Sequence, residues 1–150
     1  MKTFAHLADL AAFEGRQIGT SDWVSVDQAR IDLFARATGD AQWIHVDPVR
    51  AAAGPFGTTV AHGFLTLSLL PELFAAAFSI DDVRMGLNYG LDRVRFPSPV
   101  PVGSRLRAVC LLKKFEAIAN GAQLTTTATI EREGGAKPAC VAEWVTRHFV

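Results

Sequence analysis

The 150-residue sequence predicts an α+β fold in which an antiparallel sheet wraps around a long central apolar helix. Three observations carry this reading. Helical signals fill the first half of the chain and strand-like runs the second. One helical stretch, His62 to Phe78, is apolar on nearly every face, the mark of a helix enclosed by other structure. The later runs are long and separated by short turn signals, as successive antiparallel strands are.

Taken in order, Thr20 to Val26 alternates roughly and reads as a short strand. Ser25 and Gln28 have the spacing of a capping box, so a helix should follow with Ile31, Phe34 and Ala35 on one face. Thr38-Gly39 stops it. Gly39 to Gly63 reads mostly as loop, with Asp47-Pro48 starting a short helix through Ala53. Pro71 should bend the apolar helix. Strands are expected over Met85 to Phe96, Ser104 to Glu116, Ala122 to Glu133 and Pro138 to Val150. Their separators are the proline-rich Pro97 to Gly103, Asn120-Gly121 and Gly134-Gly135.

Composition bounds the rest. Apolar residues at 49% and charged ones at 20% are ordinary for a globular chain, and no repeat or linker divides it, so residues 1–150 are expected to form a single domain. Fifteen basic and fifteen acidic side chains give zero net charge, which argues against nucleic acid or a polybasic membrane contact. Cys110 and Cys140 lie in apolar runs without metal-site spacing, and two buried free thiols in a reducing cytoplasm fit better than one disulfide. The first ten residues lack the apolar core of roughly 7–15 residues that a signal peptide needs. Phe64 to Phe78, interrupted by Pro71 and Glu72, falls short of the ~18 residues of a membrane span. A soluble, cytoplasmic protein is expected.

Chemistry concentrates in G-D-A-Q-W-I-H-V-D-P, Gly39 to Pro48. A carboxylate at Asp40 and an imidazole at His45, on one loop, can converge on one water and serve hydration or dehydration by moving protons. The plainer reading has Asp40 capping a turn and His45 packing beside Trp43. Downstream, His62-Gly63 opens the apolar helix, where unpaired amides favour a developing oxyanion. Such stabilisation is worth about 2.7–4 kcal/mol per donor. Gly63 would leave room for close approach, or would simply pack the helix start on the sheet.

At these residues the chain resembles the MaoC-like hydratase family, hotdog-fold (R)-specific enoyl-CoA hydratases and dehydratases. F-A-R-A-T-G-D-A-Q-W-I-H-V-D-P-V-R-A-A, Phe34 to Ala52, is similar to the family signature. The likeness continues through Gly54 to Leu70 and Asn88 to Ser104, and covers most of the chain. The resemblance implies a hotdog fold with Asp40 and His45 holding the water that adds across the double bond. It also implies that the Gly63 amide binds the thioester oxygen, and that Thr66 supplies a small hydroxyl residue near the dyad. It implies formation of (R)-3-hydroxyacyl-CoA without metal or redox cofactor, by a homodimer whose substrate tunnel runs near the subunit interface.

The tight signature reads G-D-x-N-P, an aliphatic residue and His; here Gln42 and Trp43 replace Asn and Pro. The Q-W-I-H-V-D form is similar to the nodulation protein N subgroup. Gln42 keeps an amide able to orient the dyad or substrate, and Trp43 either narrows the acyl pocket or fills core. Phe56, between Gly54 and Gly57, either closes over acyl carbons or only packs.

Other candidates were weighed on the same footing. His62 is a third acid–base group or a helix-start residue satisfied locally, the second being the stronger reading. Asp40, His45, Asp47 and His62 match no zinc motif, so no metal site is expected. Ser68 on the apolar helix reads as buried, and no G-x-S-x-G elbow or phosphate loop exists. Residues 84–114 hold seven basic side chains against Asp92 alone. Among these Arg93, Arg95 and Arg105 are candidates to meet the phosphates of CoA, unless acids elsewhere in the chain pair with them. A hotdog acyl-CoA thioesterase and a non-catalytic acyl-CoA binding module are the rival readings of the same features.

Overall fold

The computed structural model describes all residues, 1–150. The N-terminal segment forms β1 (Lys2–Phe4), a 3-10 helix (Leu7–Phe13), β2 (Arg16–Thr20) and β3 (Val24–Val26). Helices α1 (Gln28–Thr38), α2 (Trp43–Val46) and α3 (Pro48–Ala52) follow, then α4 (Gly63–Ser68) and α5 (Leu70–Ala77). The chain continues through β4 (Phe78–Ile80), β5 (Met85–Arg95), β6 (Ser104–Ile118), β7 (Gly121–Arg132) and β8 (Cys140–Phe149). The main sheet runs β2-β6-β7-β8-β5, all antiparallel, with β3 sharing the edge of β6 beside β2. A separate two-stranded parallel pair joins β1 to β4.

The expected α+β layout is present. Along β6, β7 and β8 alternate residues are buried, among them Leu106, Ala108, Cys110, Leu112, Leu124, Ala128, Ile130 and Ala142. This period of two puts one sheet face inward. Against it lie Leu65 and Leu69 and, from α5, Leu70, Leu73, Phe74 and Ala77, in one cluster of 27 buried residues. Helix α5 meets β2 and β6 while α4 meets β8, so the sheet curls around the helical pair from both sides. The approach is close: a Cβ on Gly19 of β2 would sit 2.7 Å from the carbonyl oxygen of Ala77.

Several local expectations need correction. The strand foreseen over Thr20 to Val26 is two strands, β2 and β3, both paired with β6 and separated by Ser21, Asp22 and Trp23. Ser21 bridges the gap, its hydroxyl accepting from the Ala108 amide at 2.9 Å. The capping box of Ser25 and Gln28 does not form. Pairing with β6 persists through Val26, which leaves Asp27 as N-cap, its carboxylate accepting from the Arg30 amide at 2.8 Å. The apolar helix is interrupted at Leu69, because Pro71 cannot donate to the Leu67 carbonyl and its ring crowds that turn. It also ends at Ala77, where Phe78 enters β4. Nor is it enclosed all round: Phe64 is 70% exposed and Ser68 lies at the surface. Apolar character alone does not bury a face that no neighbouring element reaches.

The first two long strands are not neighbours in the sheet. Strand β5 pairs with β8, at the far side of the sheet from β6. Its link to β6 contains Pro97, Pro99 and Pro101, which lack the N–H groups a hairpin ladder needs. The link crosses the molecule instead and pairs with the segment before α4: the Ala61 amide donates to Val100 O and that of Val102 to Thr59 O. The other two turns do join neighbours, Asn120 taking φ 59° between β6 and β7. Cys110 and Cys140 are buried free thiols, and burial pushes their pKa values up to about 12 and about 11, so neither is a nucleophile at neutral pH. No helix is long and apolar enough to cross a membrane.

Candidate active site

Local chain chemistry builds the loop. Helix α1 ends at Gly39 in the left-handed conformation, φ 79°, where glycine carries no Cβ penalty. The chain thereby turns sharply into Asp40. Helix α2 then presents His45, and Asp47 caps α3 by accepting from the Arg50 amide at 2.9 Å. One nitrogen from each of His45 and His62 and a carboxylate oxygen of Asp40 lie within 4.8 Å of one another. Asp40 is exposed while both histidines are buried.

His45 is fixed from several directions. Its Nδ1 lies 2.6 Å from the carbonyl of Val60, which can only accept, so Nδ1 carries the hydrogen and Nε2 is left as a lone pair. The Val60 amide donates to Ile44 O, tying the two segments again. The main-chain carbonyl of His45 accepts from Gln28 Nε2 at 2.7 Å. Gln28 also donates to Asp32, and its Oε1 accepts from the buried Thr59 hydroxyl at 2.5 Å. Burial lowers the His45 pKa below the ordinary 6.5, the Val60 bond opposes this, His62 adds to it and Asp40 works against it. The ring is held as a neutral base.

The remaining candidates fall at different distances from this pair. Gly63 begins α4 directly after His62, and a Cβ there would lie 3.0 Å from the ring of Phe96. Phe96 in turn meets the exposed Phe64 edge-on at 6.3 Å. Thr66 is 1% exposed and donates to the His62 carbonyl at 3.3 Å. Gln42 is exposed, and its main-chain N–H, not its side-chain amide, reaches Asp40 Oδ1 at 3.5 Å. Trp43 lies outside the core cluster, over Gly54, with the Arg50 guanidinium 4.5 Å from its ring. Phe56 is 44% exposed in the same loop. Arg105 pairs with Glu133 at 3.0 Å, and Arg107, Lys113 and Lys114 also hold carboxylates, so acids elsewhere take up much of the basic stretch. Arg93 and Arg95, on β5 just before Phe96, pair with no carboxylate; Arg95 donates to its own neighbour Val94 O.

The three-residue cluster does not suit a metal ion. The rings of His45 and His62 are stacked, centroids 3.7 Å apart and planes 24° from parallel. An ion at the usual ~2.0–2.1 Å from both nitrogens would sit well out of each ring plane, away from the lone pairs. Proton transfer suits the arrangement better. Gln28 and Thr59 were not foreseen as site residues. Gln28 sits in a helix start where capping is the commoner role, and nothing in sequence ties it to a carbonyl 17 positions on.

An apolar cavity of about 280 Å³ lies elsewhere, between α5, β5 and β8. Phe74, Phe78, Leu87 and Trp144 line it with Thr146 and His148, and none of Asp40, His45 or Gly63 does. His148 bonds Thr146 through Nε2 at 2.9 Å, and burial lowers its pKa.

Residues 9–133 match the family model described as MaoC like domain. A protein of Mycobacterium tuberculosis (strain ATCC 25618 / H37Rv) named 3-hydroxyacyl-thioester dehydratase Z is 58% identical over 149 residues, covering 99% of each chain. Nodulation protein N of Rhizobium leguminosarum bv. viciae is 51% identical over 144 residues, covering 93% of this chain and 89% of that one. Among solved structures, the unliganded R-hydratase of Pseudomonas aeruginosa superposes with a TM-score of 0.74 at 22% identity, over 97% of this chain and 86% of that one. The curled sheet around α4 and α5 is therefore a hotdog, and the chain belongs to the MaoC-like family of hydro-lyases.

Proposed function

We propose that this single hotdog domain hydrates trans-2-enoyl-CoA to (R)-3-hydroxyacyl-CoA, and runs the reverse dehydration, with Asp40 and His45 as catalytic residues. The observation that carries the reading is the Asp40/His45 pair beside Gly63, with the His45 tautomer set by Val60 O. In hydration the neutral His45 Nε2 and the Asp40 carboxylate hold one water by its two hydrogens. Its oxygen attacks Cβ as the pair takes up a proton, and a proton returns to Cα. The Gly63 N–H holds the thioester oxygen as enolate charge develops, and Thr66 packs beneath the dyad. Neither step calls for a metal or redox cofactor. The names of the relatives, a 3-hydroxyacyl-thioester dehydratase and an R-hydratase, support this reaction class.

The rest of the substrate is assigned by charge and apolarity. Arg93 and Arg95 remain available for CoA phosphates; Arg105, held by Glu133, is the weaker candidate. Gln42, Trp43 and Phe56 border the entry to Asp40 and shape what enters. The apolar cavity begins at Pro71, just past the break that follows α4, and the acyl chain of a substrate entering at Gly63 is assigned to it. A homodimer in the cytoplasm completes the reading, consistent with two thiols kept free.

Crotonyl-CoA and purified protein test it by loss of the conjugated thioester absorbance. Asp40→Ala and His45→Ala are each expected to lower kcat by about 10²–10⁴-fold. No hydration by the wild type, or undiminished hydration by either variant, would sink the mechanism. Sustained CoA release from a saturated acyl-CoA would favour a thioesterase, and binding without turnover a binding module.

A further inference from the structure

His62 is 2% exposed, and its ring lies between two neighbours: His45 stacked at 3.7 Å and Phe34 at 4.9 Å. Its Nε2 is 2.9 Å from the main-chain carbonyl of Asp40. A carbonyl only accepts, so Nε2 carries the hydrogen. The other nitrogen, Nδ1, is buried without any partner. The side chain thus touches both members of the dyad, one through its main chain and the other through its ring. Buried polar atoms left unpaired in this way call for an explanation, and a functional one is at hand.

We propose that His62 is a positioning residue: its Nε2–H anchors the Asp40 main chain and its ring face fixes the plane of His45. The geometry stands on its own, while the reaction it serves rests on the hydratase reading above. Rotation of the His45 ring out of its present plane would break both the stack and the Val60 bond. The titratable groups around His45 are Asp40 on the same loop, His62 before α4, Asp47, whose carboxylate turns to the Arg50 amide, and Asp32, reached through Gln28.

The test has two arms. In the first, nitrogen-15 spectra of the wild-type imidazoles should show a hydrogen-bonded N–H at His62 Nε2 and at His45 Nδ1. A His62 ring that carries its hydrogen on Nδ1 and none on Nε2 overturns the proposal whatever the activity. The second arm measures crotonyl-CoA hydration by His62→Gln, which keeps an N–H for the Asp40 carbonyl, and His62→Phe, which keeps the ring. Each should lower kcat about tenfold or more with KM within about twofold. A folded variant with unchanged kcat, or one whose loss is confined to KM, overturns the proposal. If neither variant folds, the wild-type spectra decide. If the wild type does not hydrate crotonyl-CoA, the hydratase reading fails, and the spectra still judge His62.

Discussion

At the residue scale, His45 shows how surroundings convert a common side chain into a base. Burial disfavours its imidazolium, Val60 O holds the hydrogen on Nδ1, and Gln28 grips its carbonyl. The sign follows directly. A lowered pKa keeps Nε2 unprotonated down to lower pH, so the base form persists below the pH at which an ordinary imidazole would be half charged. The acid limb of kcat/KM for crotonyl-CoA hydration is therefore expected below about 6.5, the ordinary imidazole value. A limb at or above that value would mean that the titrating base is not this buried ring. Asp40 contributes differently, exposed on its loop and placed by its main chain rather than by burial.

At the element scale, the break between α4 and α5 matters more than either helix alone. Pro71 stops the ladder at Leu69, so α4 can turn toward β8 while α5 packs on β2 and β6. That packing depends on Gly19, where the strand backbone approaches Ala77 closely. The Ala77 carbonyl is main chain and cannot swing aside as a long side chain could. Gly19→Ala should therefore destabilise by about 1–3 kcal/mol, read as a lower urea midpoint with an unchanged slope. An unchanged midpoint would show that α5 shifts freely against β2. The proline-rich link acts on the other end of the helical pair. By pairing with residues 59–61 it sets where Val60 O meets His45, so a connector helps to place a site residue through its main chain.

At the scale of the whole molecule, β5 is the exposed edge of the sheet. It runs for 11 residues, pairs only with β8, and leaves Met85, Leu87, Tyr89 and Leu91 between 43% and 59% exposed. A long edge of this kind invites another strand, and antiparallel pairing with its own copy about a two-fold axis closes it without leaving a new edge. Zero net charge puts no overall repulsion against that union. In sedimentation the wild type is expected at twice 16.2 kDa and Tyr89→Asp as the monomer. A monomeric wild type, or an undisturbed dimer in the variant, would remove β5 from the interface. By itself the sequence determined the α+β class, the four long strands to within about two residues, the end of α1 at Gly39, and Asp40, His45 and Gly63 as candidates. Those features rest on local patterning: period-two burial, turn residues, and motif spacing. Only the tertiary structure decided that Asp27 caps α1, that β5 crosses to β8, that Gln28 and Thr59 brace the loop, and that His62 stacks on His45. Each of these depends on partners brought from distant positions, and a hydrogen bond or ring contact across such a gap leaves no period in the chain.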